Sequence, residues 1–177
     1  RYETAERLED LVNFLVRRAG QLPAGSVRSG LRRRAADMQR DRLGDGDAAR
    51  ETLLALLEDG DDLDALGWLA DDAEQREDFS AAADFLGRLS KASTEPEQKV
   101  TALLREAALY SGALSDPEQA ISRYERILED LDADHDEALE RVAELYQGTE
   151  KHGEAAVVLE RRLKVSKDDA VRLEVAN

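Results

Sequence analysis

DEALERVAELYQGTEKHGEAAVVLERRLKVSKDD, residues Asp136 to Asp169, is one copy of a pattern that the chain uses four times. Its apolar positions Leu139, Val142, Ala143 and Tyr146 recur at the spacing of one helix face. A break from Thr149 to Gly153 follows, and Ala155 and Leu159 lie on a second helix. The same order stands at Leu66, Leu69, Ala70 and Ala73, followed by Ala82 and Leu86. It returns at Leu103, Ala107 and Tyr110, with Ala120 and Tyr124, and at Leu31, Ala35 and Met38, with Ala49 and Leu53. The small residue of the first helix falls at 35, 70, 107 and 143, in steps of 35, 37 and 36. That of the second falls at 49, 82, 120 and 155, in steps of 33, 38 and 35. A period near 35 belongs to a stacked array of helix pairs, in which each pair buries its apolar face on its neighbours. Such arrays mostly hold other molecules.

The pattern resembles the tetratricopeptide repeat, whose signature is a large residue, then Leu-Gly, an aromatic, and Ala-x3-Phe at a period of 34. The copy from Asp136 to Asp169 matches that length without gaps, with Ala143 in place of the glycine and Leu159 in place of the aromatic. The copy from Leu63 matches through Leu89. Those beginning near Leu31 and Leu103 need one or two extra residues before the second helix. The closing proline is absent, and Asp/Gly clusters such as Asp59-Gly60-Asp61-Asp62 replace it. The resemblance implies an all-α fold, a right-handed superhelical solenoid of antiparallel helix hairpins. It also implies a concave groove that binds peptides or protein surfaces.

The spacing predicts helices over 4–19, 28–43, 47–58, 62–74, 78–90, 95–113, 117–131, 136–148, 153–165 and from 169 onward. One array over 1–177 is expected: the second helix of a partial repeat (1–20), repeats near 28–61, 62–92, 95–133 and 136–169, and the start of another at 170–177. The first residue is Arg1 and neither end reads as a polar cap, so a fragment of a larger protein is expected. Thr94-Glu95-Pro96-Glu97 reads as a capping box and Asp116-Pro117-Glu118-Gln119 as an Asp cap. The prolines at 23, 96 and 117 all stand at or near helix boundaries. Trp68, one position from the packed stripe, is expected to be partly buried.

The 177 residues carry a net charge of −15. Residues 1–60 balance, with 11 basic and 11 acidic side chains, whereas 61–177 hold 14 basic and 29 acidic. That acidity opposes nucleic-acid phosphates and anionic membranes. No stretch has the apolar length to span a bilayer, so direct membrane insertion is not expected. With no cysteine there are no disulfides and no thiolate metal sites. Compartment and oligomeric state are left open.

Nothing in the residues points to an enzyme, a cofactor or a metal. Asp130, Asp132, Asp134 and Asp136 alternate as in a calcium loop, but His135 and Arg141 stand where that loop needs Gly and Glu. His135 and His152 accompany no recognisable nucleophile. Gly44-Asp45-Gly46-Asp47 lacks the Gly-Lys-Ser/Thr of a phosphate loop.

In the family that the chain resembles, the second, fifth, ninth and twelfth residues of each first helix line the groove. These map to Glu137, Glu140, Glu144 and Gln147, and to Asp64, Gly67, Asp71 and Glu74. Between them stand Thr101, Leu104, Ala108 and Ser111. The first copy offers Ser29, Arg32, Ala36 and Gln39, with Arg28 and Arg33 nearby. The Lys/Asn/Arg clamp with which one subgroup holds a peptide carboxylate is missing, because Glu140 and Glu144, or Gly67 and Asp71, occupy its positions. The expectation is a non-catalytic scaffold whose acidic groove, with the Leu104, Ala108 and Ser111 floor, takes a basic and partly apolar protein segment. The alternative is a regulatory or sensor arm of a multidomain signalling enzyme whose catalytic domain lies elsewhere.

Overall fold

A computed structural model describes the backbone of residues 2–175 and the side chains of residues 6–166. All regular structure among them is helical: α1 (Tyr2–Gly20), α2 (Ser26–Met38), α3 (Gly46–Leu57), α4 (Leu63–Gln75), α5 (Phe79–Ala92), α6 (Pro96–Ser111), α7 (Pro117–Asp130), α8 (Asp136–Gly148) and α9 (His152–Val175). A single π-helical turn, Gln39–Leu43, extends α2. The chain forms two compact units, 1–69 and 70–177, whose division falls within α4.

Aspartates start most of the short helices. Asp45, Asp62, Asp78 and Asp116 each accept the amide three residues on, from Ala48, Ala65, Ala81 and Gln119, at 3.0–3.2 Å. His135 does the same for Ala138 through Nδ1, at 3.3 Å. The Asp116 cap is therefore the one that the sequence predicts. The Thr94 capping box does not form. Glu95 is the cap residue of α6 and makes no side-chain cap bond. Ser93 is buried there instead, its hydroxyl 2.6 Å from Gln98 Oε1.

The turn between the two helices of each repeat is built the same way every time. One residue adopts the left-handed conformation directly before the first residue of the next stretch: Gly44, Glu77, Ser115 and Glu150, with φ of 68°, 60°, 51° and 60°. The following amide then closes back on the first helix. Asp78 donates to the Ala73 carbonyl and Lys151 to that of Tyr146, five residues back. Asp45 donates to Gln39 and Asp116 to Tyr110, six residues back. The two wider closures belong to the two copies with extra residues in sequence. In the first copy the π turn takes up the surplus; in the third, the Gly112–Ser115 loop does.

Within the first unit, Val12, Leu15 and Ala35 form a buried cluster with Leu31, Met38 and Leu43 against it. Leu66 and Leu69 are fully buried and Trp68 is half-buried, as expected of its place beside the stripe. Within the second unit, α6, α7 and α8 close on Leu103, Ala107, Tyr124, Ile127, Leu139, Val142 and Tyr146. The eight small residues that define the period, Ala35, Ala49, Ala70, Ala82, Ala107, Ala120, Ala143 and Ala155, are all at most 3% exposed. They let paired helices approach closely.

The last copy departs from the sequence reading at two points. Leu159 occupies the position of Leu53, Leu86 and Tyr124, which are 0–4% exposed, yet it is 40% exposed beside Leu163 and Val157. And α9 is continuous to Val175, with no break between 165 and 169. The segment Arg161–Ala170 contains neither Gly nor Pro, so nothing local stops the helix. The proposed repeat start at 170–177 lies outside the described side chains.

Two stability measurements check this packing. Replacing Ala143 (2% exposed) by Leu overfills a helix contact and is expected to cost ~1–3 kcal/mol in urea unfolding; an unchanged midpoint would contradict the register. Glu77 holds φ 60° on an exposed turn. Glu77→Gly relieves a left-handed L-residue at some cost in unfolded-chain entropy, for an expected net gain of about 0.5–1 kcal/mol, while Gly44→Ala loses a comparable amount.

Candidate functional site

The groove positions divide between the two units. Asp64 is exposed and Gly67 half-buried in the first unit. Asp71, Glu74, Thr101, Leu104, Ala108, Ser111, Glu137, Glu140, Glu144 and Gln147 lie in the second.

In the first copy three of the four groove positions, Arg32, Ala36 and Gln39, are taken up within the unit. Ala36 and Gln39 are 1% and 7% exposed, so they face the core. Arg28 and Arg32 turn onto Asp59, whose side chain is only 3% exposed. Arg28 Nε donates to Asp59 Oδ2 at 2.8 Å and Arg32 Nη1 at 2.9 Å, while Arg32 also reaches the Ala55 carbonyl at 2.5 Å. Arg33 pairs with Asp62. A carboxylate this deeply buried needs compensating cations, which explains why these arginines point inward.

Residues of α6, α7 and α8 enclose an open cleft of ≈ 400 Å³. Ala108 and Ser111 come from α6, Tyr124 from α7, and Glu137, Arg141, Glu144 and Leu145 from α8. Four of the ten groove positions in the second unit thus share one cavity. Tyr124, Arg141 and Leu145 are lining residues that the groove pattern did not name. Burial pushes the Tyr124 phenol above its ordinary pKa; Arg141 opposes that shift, and Glu137 and Glu144 reinforce it. Tyr124 is 3% exposed and its hydroxyl makes no hydrogen bond among the described residues. Thr101, Leu104, Glu140 and Gln147 do not line this cleft. Leu104 is half-buried against the core of the unit.

Most of the groove's acids already carry a cation. Arg105 donates to Asp71 at 2.7 Å and to Glu74 at 2.9 Å. Burial works against the charge of Arg105, but these two bonds hold its pKa above the ordinary value. Arg141 pairs with Glu144 at 3.1 Å. Arg162, on α9, bridges Asp136 at 2.8 Å and Glu140 at 3.1 Å, and its bond draws the Asp136 carboxyl below the usual carboxylate range. Glu137 is exposed and makes no ion pair among the described residues. The sequence held a signal for Arg105, which stands 34 residues after Asp71, one repeat on. The Arg141–Glu144 pair at i, i+3 is legible as well.

No group of three or more His, Asp or Glu side chains among the described residues is placed to hold a metal ion. No helix searched is long and apolar enough to cross a membrane.

No family model matches the sequence, and no curated protein matches it. Solved structures do. A crystal structure of the TPR-like protein MamA aligns over 95% of this chain and 94% of its own, at 16% identity and a TM-score of 0.57. A second MamA structure aligns over 96% of both chains, at 17% identity and a TM-score of 0.57. A putative kinesin light chain from Podosopora anserina, with nearly identical TPR-like repeats, aligns over 95% of this chain and 88% of its own, at 18% identity and a TM-score of 0.53. The fold of this chain is that of a tetratricopeptide-like helical-repeat protein.

Proposed function

We propose that the chain is a non-catalytic interaction scaffold, and that the cleft of the second unit holds a short segment of a protein partner. The observation that carries this reading is the joint lining of one 400 Å³ cleft by Ala108, Ser111, Glu137 and Glu144. Open to solvent on one side, the cleft suits the side chains of a passing segment better than a small molecule enclosed on all sides. The small floor of Ala108 and Ser111 lets an extended backbone come close. Leu145 and the Tyr124 ring supply apolar contact, and the Tyr124 hydroxyl is left to accept or donate.

The ion pairs narrow the chemistry of the partner. With Asp71, Glu74, Glu140 and Glu144 satisfied within the unit, Glu137 is the carboxylate left for a partner's cation. The proposed ligand is therefore a segment with a single Lys or Arg next to an apolar residue, not a polybasic stretch. An exposed pair adds little affinity, but it sets encounter rate and register.

A photo-crosslinking residue at Ser111 identifies the segment seated in the cleft. Synthetic versions of that segment are then titrated against the native chain and Glu137→Lys. The variant is expected to bind several-fold more weakly at low salt, chiefly through slower association, with the difference shrinking as salt rises. Equal binding at all salt concentrations, or crosslinks only to acidic segments, would remove the proposal.

A further inference from the structure

A second cleft of the same unit lies on the opposite side of α6. Ala108 and Ser111 face the cleft described above. Glu106 and Tyr110, on the other face of that helix, line a separate cavity of ≈ 350 Å³ with Phe85, Gly87, Arg88, Lys91 and the exposed carboxylate Asp84 of α5 and with Arg123 of α7, so three cations there face two acids. The two share no residue.

The floor of this cleft is a buried carboxylate held by a single arginine. The Glu106 side chain is 5% exposed and accepts from Arg123 Nε at 2.9 Å. Gly87 makes room for it: a Cβ there would stand 3.1 Å from Glu106 Oε1. Arg123 is fixed on three sides. Its Nη1 donates to Gln119 at 2.5 Å, its Nε is held by Glu106, and its guanidinium lies 5.0 Å from the centroid of the Tyr110 ring. Its Nη2 makes no hydrogen bond among the described residues, and the side chain is 24% exposed. Lys91, exposed one turn from Gly87 on the α5 wall, makes no ion pair there either. An arginine held in this way has little rotamer freedom left to lose on meeting an acceptor.

From this arrangement we infer that the α5–α6–α7 cleft binds the carboxylate side chain of an acidic residue in a partner protein, between Arg123 Nη2 and the Lys91 ammonium. Phe85 and Tyr110 offer apolar contact to its neighbour in sequence. A side chain is favoured over a chain terminus. A backbone nest, one way of holding a terminal carboxylate, is not available here, because every lining residue lies inside a helix whose amides are already used; a terminus held by side chains alone is separated by the free-carboxylate probe below. This cleft does not depend on the groove reading, since it selects the opposite charge on another face.

The test uses the whole chain and two blocked peptides, N-acetylated and C-amidated. One carries a single glutamate between two leucines, and the other is its glutamine twin. Amide and arginine Nε resonances are followed by NMR at millimolar peptide. The glutamate peptide is expected to shift Gly87, Lys91 and the Arg123 Nε–H saturably. The twin should bind about ten-fold more weakly, and Lys91→Glu, at an exposed position, should weaken the glutamate peptide to a similar degree. Two further probes separate other anions: the glutamine peptide with a free terminal carboxylate, and inorganic phosphate alone. The inference fails if the two blocked peptides bind equally, or if Lys91→Glu changes nothing. It fails equally if either further probe binds more tightly than the glutamate peptide, if shifts appear only around Glu137 and Ser111, or if no peptide gives a saturable shift.

Discussion

Close approach between helices, made possible by alanine, is the constraint on which the remaining structure depends. Each first helix and each second helix contributes one alanine at the same place, and all eight are buried. With aromatics only 5% of the chain, there is little bulky material with which to fill gaps. Leu, Ile and Val can form a dense core only if the helix backbones come close, and a larger side chain at Ala107 or Ala143 would hold them apart. Everything else is arranged around those contacts, including which faces are left to line the two clefts of the second unit.

A net charge of −15 sets a second problem, solved locally rather than by dilution. Cations of one helix neutralise acids of another: Arg105 with Asp71 and Glu74, and Lys151 with Glu118, at separations close to the repeat, and Arg162 with Asp136 and Glu140 inside the last copy. Individually such surface pairs contribute little. Together they relieve repulsion that would otherwise act along each helix face. They also decide which carboxylates remain available for recognition, and Glu137 is one that does.

Much of the fold was legible because it rests on short-range periodicity. The helix spacing, the alanine positions and the Asp116 cap all follow from residues a few positions apart. The Thr94 cap did not, because a serine one position earlier was buried and took up the local bonding. The continuity of α9 was missed because sequence periodicity marks where an apolar face ends, not where the backbone stops. The groove was harder to read. Ala36 and Gln39 fit the repeat pattern by number, but the π turn and the buried Asp59 shift what α2 presents in that copy. Counting the groove acids alone leaves out the cations beside them, and apart from Arg141 these come from other helices. The second cleft gave no sign at all: Gly87, Glu106 and Arg123 are ordinary residues in sequence and acquire meaning only where three helices meet.

The turn inside each repeat closes by a bond to the carbonyl five or six residues back, always through one left-handed residue. A residue can be gained or lost at this joint while the alanine of the second helix stays buried, as Ala49, Ala82, Ala120 and Ala155 all are, because the surplus is absorbed before the left-handed residue. Repeats of unequal length can therefore each keep their own helix pair closed, which gives natural variation and engineered grafts a place to change the rim of a cleft without disturbing its floor.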